Sequence, residues 1–221
     1  MSFGLPCFTE TRLLVVGDIM LDRYWQGTTS RISPEAPVPV VQVQEKREVP
    51  GAAANVALNV RALGAEVTLL SFCGADAYAD LLAAALSEAG IQHNLFRFPE
   101  LPTISKLRVL SQHQQLIRLD FEKDFSQVDA ADLVKRYREL LSQHQVVILS
   151  DYAKGVLRAA PQLITAARTA GLPVLVDPKG DDFSLYRGAS LLTPNCKEFE
   201  QIVGNCATEA IFEEKARQLI A

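Results

Sequence analysis

Two segments of the sequence place an aspartate, a lysine and a glycine directly after an apolar run. The first segment carries Asp151 and Lys154, and the second carries Asp177 and Lys179. A carboxylate and an ammonium group on a tight turn can bind phosphate or hold the water shell of a metal ion. A surface turn with a local ion pair is an equally good interpretation of either segment alone. The repetition of the combination after two strands favours a phosphate site.

A third polar segment, Asn195-Cys196-Lys197-Glu198, follows another apolar run and begins a predicted helix. The spacing of Asn195 and Glu198 is that of a capping box, in which the two side chains satisfy each other's backbone donors. Alternatively, both side chains orient water on Mg²⁺ beside a nucleotide, since Mg²⁺ prefers few protein oxygens and several waters. The spacing alone does not separate these two interpretations.

Two further places could bind the hydroxyl groups of a ligand. Gly51 begins a glycine turn, and Asn55 lies in the first turn of the helix that follows. Backbone N–H groups and a short amide there can bind hydroxyls, although simple packing of a glycine turn explains the same residues. Asp18 and Asp22 flank the exit of the first predicted strand. A carboxylate there can accept hydrogen bonds from vicinal hydroxyls or cap a loop.

A predicted hairpin carries three basic residues. Segments 104–110 and 115–121 alternate apolar and polar residues around a polar turn. Lys106 and Arg108 are two residues apart and share one face of the first strand. Arg118 and Asp120 are likewise two residues apart and share one face of the second strand. If the two faces coincide, they form a basic patch for a sugar phosphate. A solvated outer face is the alternative.

The pattern of apolar runs predicts how these residues are positioned. Five runs each end in small or acidic residues, namely 13–16, 67–72, 146–149, 173–176 and 189–192. Helices are predicted at 52–63, 80–88, 130–142, 159–170, 197–203 and 209–220. This alternation predicts an α/β fold with a mostly parallel, doubly wound sheet and helices on both faces. In such a sheet the residues beyond the strand ends share one edge, so the acidic residues should converge there.

Two segments depart from this alternation, at about residues 24–49 and 95–121. Three prolines exclude a helix from the first segment, and the alternating residues 41–44 predict a strand that Pro50 and Gly51 break. Together with the hairpin, this strand predicts a small antiparallel β lid. Its edge strands favour pairing into a homodimer.

Composition excludes several classes of protein. The 221 residues carry a net charge of −4, which argues against a nucleic-acid surface, and no apolar stretch reaches the roughly 18–20 residues that span a bilayer. The four cysteines form no CxxC pair, so a reducing cytoplasm is the expected location. A P-loop and a GxGxxG fingerprint are both absent, which excludes Walker-type NTPases and disfavours a Rossmann-like binding domain.

Seven segments together resemble the ribokinase-like (PfkB) carbohydrate kinases. They are residues 17–22, 30–40, 50–55, 116–121, 149–155, 176–180 and 192–198. The resemblance runs from about Leu13 onward and implies one ribokinase-like kinase domain over residues 1–221. Within the family, the chain resembles the kinases of D-glycero-β-D-manno-heptose 7-phosphate. These are the kinase parts of bifunctional enzymes that make ADP-heptose for lipopolysaccharide core.

The resemblance implies a reaction and its participants. ATP with Mg²⁺ would phosphorylate heptose 7-phosphate at its anomeric hydroxyl, giving the 1,7-bisphosphate. Asp18 and Asn55 would hold sugar hydroxyls under the lid, and Asp22, Gly51, Asp151 and Lys154 are expected on the same side. We add the hypothesis that the 7-phosphate binds Lys106, Arg108 and Arg118. The residues expected at the nucleotide are Asp177, Lys179, Asn195, Cys196, Lys197 and Glu198, with Glu198 reaching Mg²⁺ through water.

The sequence departs from the family pattern in two places. The family usually has two glycines after the proline of the first motif, and here the second is Ala52. The Gly-Ala-Gly-Asp motif, whose aspartate is the catalytic base, does not occur in these residues. We therefore expect the catalytic aspartate beyond residue 221, with the C-terminal part of the fold missing. A catalytically silent sugar-phosphate-binding module is the alternative function.

Overall fold

The computed structural model describes residues 7–112 and 114–220. The strands are β1 (Arg12–Gly17), β2 (Ile19–Ile32), β3 (Pro39–Ala52), β4 (Glu66–Gly74), β5 (Gln92–Phe98), β6 (Ser105–Ser111), β7 (Gln114–Phe121), β8 (Val146–Ser150), β9 (Val174–Asp177) and β10 (Leu191–Leu192). The helices are α1 (Ala53–Ala62), α2 (Ala77–Glu88), α3 (Ala131–Leu141), α4 (Ala160–Thr169), α5 (Cys196–Val203) and α6 (Glu209–Ile220). Within the described ranges, no helix is both long enough and apolar enough to cross a bilayer.

The larger sheet has six strands in the order β10-β9-β8-β1-β4-β5. Every pair in it is parallel. Because β1 lies inside the sheet and the chain winds outward from it in both directions, the sheet is doubly wound. The predicted fold class is therefore confirmed.

The alternation of side chains along β1 divides the core between the two faces of this sheet. Leu14 and Val16 pack in one buried cluster with side chains of α3 and α4. Val15 packs in the other cluster with side chains of α1 and α2. Each fully buried aliphatic side chain contributes about 1.5–3 kcal/mol, so β1 anchors both layers.

The smaller sheet forms the lid, in the order β3-β2-β6-β7. It is mixed, because β2 and β6 run parallel while the other two pairs are antiparallel. The prediction of a wholly antiparallel lid was therefore wrong. The predicted break at Pro50 was also wrong, since β3 continues to Ala52. A proline is tolerated there because β3 is an edge strand.

The second lid segment begins later than the sequence indicated. Residues 95–98 belong to β5, which is the outer strand of the larger sheet. The lid part of this segment starts at β6, and β6 and β7 form the predicted hairpin. The long strand β2, unrecognised in the sequence because of its glycine and polar residues, connects the lid to the end of β1.

Ala52 lies where the lid meets α1 and has an unusual backbone conformation. Its φ is +55° and its ψ is −132°, at the position that precedes the first turn of α1. A side chain is strained at positive φ, which explains why glycine suits this position of the family motif. Ala52 is nevertheless buried and contributes its methyl group to the core.

Replacing Ala52 with glycine tests the strain. Ala52→Gly relieves about 1–3 kcal/mol of backbone strain. It also loses a buried methyl group worth about 0.8 kcal/mol, and it stabilises the unfolded state by about 0.5–1 kcal/mol because glycine raises the conformational entropy of the unfolded chain. We expect the free energy of unfolding, measured with urea, to change by an amount between a loss of about 1 kcal/mol and a gain of about 2 kcal/mol. Ala54→Gly, at a buried site inside α1, is the control and should cost about 2 kcal/mol. Equal losses in both variants would contradict strain at Ala52.

Candidate functional site

The ends of three neighbouring strands form the rim of the larger sheet. In the register of β1, β8 and β9, Gly17 pairs with Ser150, and Ser150 pairs with Asp177. Asp18 and Asp151 therefore follow adjacent strand ends, and the backbone N–H of Asp151 donates to the carbonyl of Asp177 over 2.9 Å. The predicted convergence of the acidic residues at one edge is present in the structure.

Asp18 is buried at this rim, with only 1% of its surface exposed. Its carboxylate accepts three backbone N–H groups, from Tyr152 at 2.9 Å, Lys154 at 3.0 Å and Val156 at 3.1 Å. These contacts wrap the loop after β8 around the end of β1. Of the two interpretations of Asp18, the loop-capping contacts are the ones observed, and its contact with a sugar hydroxyl stays a prediction.

Burial dominates the electrostatics of Asp18. It raises the pKa of the carboxyl group to about 6, and the nearby charge of Asp151 acts in the same direction. The three N–H donors lower the pKa but do not cancel the loss of hydration. Asp18 is therefore a rim residue whose ionisation should respond to mild acid.

Asp151 is held by a residue that the sequence did not indicate. Its Oδ2 accepts the hydroxyl of Tyr186 at 2.6 Å, and its Oδ1 accepts the N–H of Ala153 at 2.7 Å. The same tyrosine oxygen accepts the N–H of Lys179 at 3.2 Å. Tyr186 thus lies between the turn after β8 and the turn after β9.

The capping box at the start of α5 is present. The side chain of Asn195 accepts the N–H of Glu198, and Glu198 accepts the N–H of Asn195, both at 3.0 Å. Glu198 also accepts Lys179 Nζ at 2.6 Å through its other oxygen. Burial alone would raise the pKa of Glu198, but these two donors lower it. Cys196 and Lys197 follow on the exposed start of the helix.

Tyr152 lies among the charged groups of the rim and the lid. Burial raises the pKa of its phenol, and the charges of Asp177, Asp22 and Glu198 raise it further. Asp177 itself has a raised pKa, because it is partly buried and faces Glu198.

The basic residues of the lid share one face, as the strand spacing predicted. Lys106 pairs in register with Asp120, and Arg108 pairs with Arg118 across β6 and β7. On the other side of β6, the partner of Lys106 is Asp22 of β2. The faces of the two hairpin strands therefore coincide.

Each of these cations already has a carboxylate partner. Arg108 is paired with Asp22, and its guanidinium also lies 5.2 Å from the ring centroid of Tyr24. Lys106 Nζ lies 3.0 Å from Asp120, whose carboxylate also binds Arg118 through two hydrogen bonds.

Glu122 connects the lid to the rim. One oxygen accepts Lys154 Nζ at 2.9 Å and the other accepts Lys106 Nζ at 3.3 Å. Both donors lower the pKa of Glu122, and the hydrogen bond from Lys154 has the largest effect. The sequence did not indicate this residue, because its partners are 16 and 32 positions away.

Gly51 and Asn55 complete the predicted set. Asn55 is exposed on the first turn of α1. A side chain at Gly51 would collide with the carboxylate of Asp22 and with Met20, so the glycine leaves room for the Asp22 side chain. Gly51 thereby supports the pair of Asp22 with Arg108.

The fold is that of the ribokinase-like sugar kinases. A structure of Arabidopsis thaliana ribokinase complexed with ribose and ATP superposes with a TM-score of 0.72 at 19% identity, covering 94% of this chain and 68% of the other. The tetrameric inhibited form of phosphofructokinase-2 from Escherichia coli gives a TM-score of 0.70 at 20% identity, covering 95% and 69%. At these identities the likeness concerns the fold.

The chain belongs to the pfkB family of carbohydrate kinases, whose pattern matches residues 10–221. Among curated relatives, "Bifunctional protein HldE" of Methylococcus capsulatus is 57% identical over 216 residues, which are 98% of this chain and 46% of that protein. The protein of the same name from Pseudomonas aeruginosa (strain UCBPP-PA14) is 54% identical over 221 residues, which are 100% and 46%. The chain therefore spans about half the length of these relatives.

The pH dependence of stability tests the burial of Asp18. Because its pKa is raised from 3.8 to about 6, the folded state binds the proton more tightly, and this stability is lost as the pH rises from about 4 to about 6. Asp18→Asn does not titrate. Its cost in unfolding free energy should therefore be smaller at pH 7 than at pH 4, by about 2–3 kcal/mol. Urea unfolding at both pH values measures this difference.

Asp76 provides the matched control. It also accepts three backbone N–H groups, from Tyr78, Ala79 and Thr103, but it is less buried and its pKa is lowered. Asp76→Asn should therefore cost more at pH 7 than at pH 4. If Asp18→Asn also costs more unfolding free energy at pH 7 than at pH 4, then the N–H donors, rather than burial, decide the ionisation of Asp18.

Proposed function

We propose that this chain binds ATP and D-glycero-β-D-manno-heptose 7-phosphate for transfer of the γ-phosphoryl group to the anomeric hydroxyl. The product is the 1,7-bisphosphate, an intermediate of ADP-heptose biosynthesis for lipopolysaccharide core. The family supports a sugar kinase, and the motif resemblance supports this particular acceptor. The free state of all four cysteines agrees with the cytoplasm as the proposed compartment.

The observation that carries the proposal is the presence of two separate groups of paired cations. At the lid, Arg108 is paired with Asp22, and Lys106 and Lys154 share Glu122; at the rim, Lys179 is paired with Glu198. A kinase of a phosphorylated sugar needs one anion site for the acceptor's phosphate and a second for the nucleotide. Phosphoryl transfer depends mainly on such positioning and on stabilisation of charge.

The acceptor side consists of the lid face and the loop after β8. Lys106, Arg108 and Arg118 are the proposed partners of the 7-phosphate, and Lys154 lies within reach of the same face through Glu122. Asp18 fixes the loop that carries Lys154. Asp22, Gly51, Asn55 and Asp151 are the remaining proposed residues near the sugar.

On the nucleotide side we propose Lys179, Asn195, Cys196 and Lys197 near the phosphates of ATP. Both oxygens of Glu198 already accept hydrogen bonds, from Lys179 and Asn195, so Glu198 fits Mg²⁺ through water rather than as a direct ligand. Asp177, partly exposed beside it, fits the same water shell. When bound, Mg²⁺ would neutralise charge on the transferring phosphoryl group.

Release of ADP with heptose 7-phosphate tests the proposed reaction. We expect calorimetry to show binding of the sugar phosphate but not of heptose itself, and any ADP formation to depend on both ATP and the sugar phosphate. Binding without turnover would favour the silent sugar-phosphate-binding module. Absence of binding would reject both functions.

Within this assay, Arg108→Gln tests the assignment of the 7-phosphate. Loss of the guanidinium should raise the KM for heptose 7-phosphate, or its dissociation constant, at least about tenfold, because a charge-assisted contact is worth about 1.5–3 kcal/mol. Arg23→Gln is the control, since Arg23 is also paired with a carboxylate but points to the opposite face of β2. An unchanged constant in Arg108→Gln would reject the assignment.

We also propose that the lid pairs two copies of the chain. Ile117, Leu119 and Phe121, here called the apolar lid face, point away from the charged face of β7 and are 52%, 40% and 48% exposed. A contiguous row of exposed apolar residues is typical of an interaction surface. A second copy would cover it and leave the charged face towards the rim.

Ile117→Glu tests this dimer. A charge in a buried apolar contact should shift the protein to monomer in sedimentation or light-scattering measurements at micromolar concentration. Leu81→Glu, at an exposed leucine on α2, is the control and should leave the mass unchanged. A monomeric parent protein would contradict the proposal directly, and an unaltered dimer in Ile117→Glu would place the contact elsewhere.

A further inference from the structure

Tyr186 is a buried residue that neither the motif resemblance nor the family match assigns to the site. It ends the short 3₁₀ helix Phe183–Tyr186 and is only 1% exposed. We infer that Tyr186 is a positioning residue whose hydroxyl fixes the acceptor-side turn after β8 relative to the nucleotide-side turn after β9. This inference rests on the proposed function.

The local sequence holds the tyrosine ring in one place. Asp182 caps the 3₁₀ helix by accepting the N–H of Ser184 at 2.9 Å. The rings of Phe183 and Tyr186 pack edge to face with centroids 5.9 Å apart. Because both rings are packed in the core, the phenol reaches the rim with little conformational freedom.

The hydroxyl group has one proton and two candidate acceptors. Asp151 Oδ2 lies at 2.6 Å and the carbonyl of Lys179 at 3.0 Å. The charged acceptor forms the shorter and stronger hydrogen bond, so the proton is directed to Asp151. The oxygen then accepts the N–H of Lys179 at 3.2 Å. A single atom thus contacts both turns.

Each turn continues to one half of the proposed site. The turn after β8 carries Asp151 and Lys154, and Lys154 reaches the lid through Glu122. The turn after β9 carries Lys179, whose Nζ binds Glu198 at the start of α5. The hydroxyl therefore fixes the distance between the residues proposed for the sugar phosphate and those proposed for the nucleotide. Misplacement of two reactants by a fraction of an ångström lowers the rate of transfer more than their binding.

Tyr186→Phe removes the hydroxyl and keeps the ring. We expect kcat to fall about tenfold while the KM values for ATP and sugar phosphate change less than about threefold. Hydrogen exchange followed by mass spectrometry should become faster in segments 151–156 and 177–181. Tyr137→Phe is the matched control, because Tyr137 is also buried and its hydroxyl donates to the carbonyl of Leu163 at 3.1 Å. It lies in α3, away from both turns.

The comparison of the two variants decides the inference. If exchange and kcat in Tyr186→Phe match those of Tyr137→Phe, Tyr186 is only a core residue and the inference fails while the proposed function stands. If the parent protein neither binds nor turns over the substrates, the proposed function fails. The exchange measurement then decides by itself whether Tyr186 holds the two turns, and unchanged exchange in both segments overturns the inference.

Discussion

The rim of this protein depends on the contact of one buried carboxylate with three backbone N–H groups. Asp18 follows the central strand β1, and it accepts N–H groups from the loop that follows the adjacent strand β8. Without an acceptor these N–H groups would be buried and unsatisfied, at a cost of several kcal/mol. The loop could then not keep the shape that directs Lys154 to the lid. Burial of the acceptor raises its pKa to about 6, so the contact that orders the rim is also sensitive to pH.

From the rim, two chains of polar interactions extend in opposite directions. One passes through Lys154 and Glu122 to Lys106 on the lid. The other begins at Asp151, at the adjacent strand end, and passes through Tyr186 and Lys179 to Glu198 at the start of α5. Apart from the contact between Lys179 and Tyr186, which are 7 positions apart, every link joins residues at least 16 positions apart in sequence. The lid is joined to the rim by the backbone of β2 and β3, and the side-chain contacts that reach it from the loop after β8 are partly exposed ion pairs, each worth about 1 kcal/mol or less.

The sequence predicted the strands and the strand faces that depend on the local pattern of residues. Apolar runs followed by small or acidic residues located five of the six parallel strands, all but β5, and their shared edge followed from the geometry of such sheets. The two-residue spacing of Lys106 and Arg108 correctly predicted their common face. Glu122 and Tyr186 were missed because their partners are brought close only by the fold. The path of β3 through Pro50 was mispredicted, since a proline signals a break unless the strand lies at an edge.

The pairing of the lid cations has a consequence for the binding of anions. Lys106 is shared by Asp120 and Glu122, and Arg118 binds Asp120 through two hydrogen bonds. These carboxylates hold the cations in position at little cost in side-chain entropy when a ligand arrives. They also reduce the net attraction, so a single negative charge would gain little by entering. A dianionic phosphate can compete for such cations, whereas a neutral sugar cannot. The paired lid face therefore discriminates by electrostatics between a dianionic group and a neutral one.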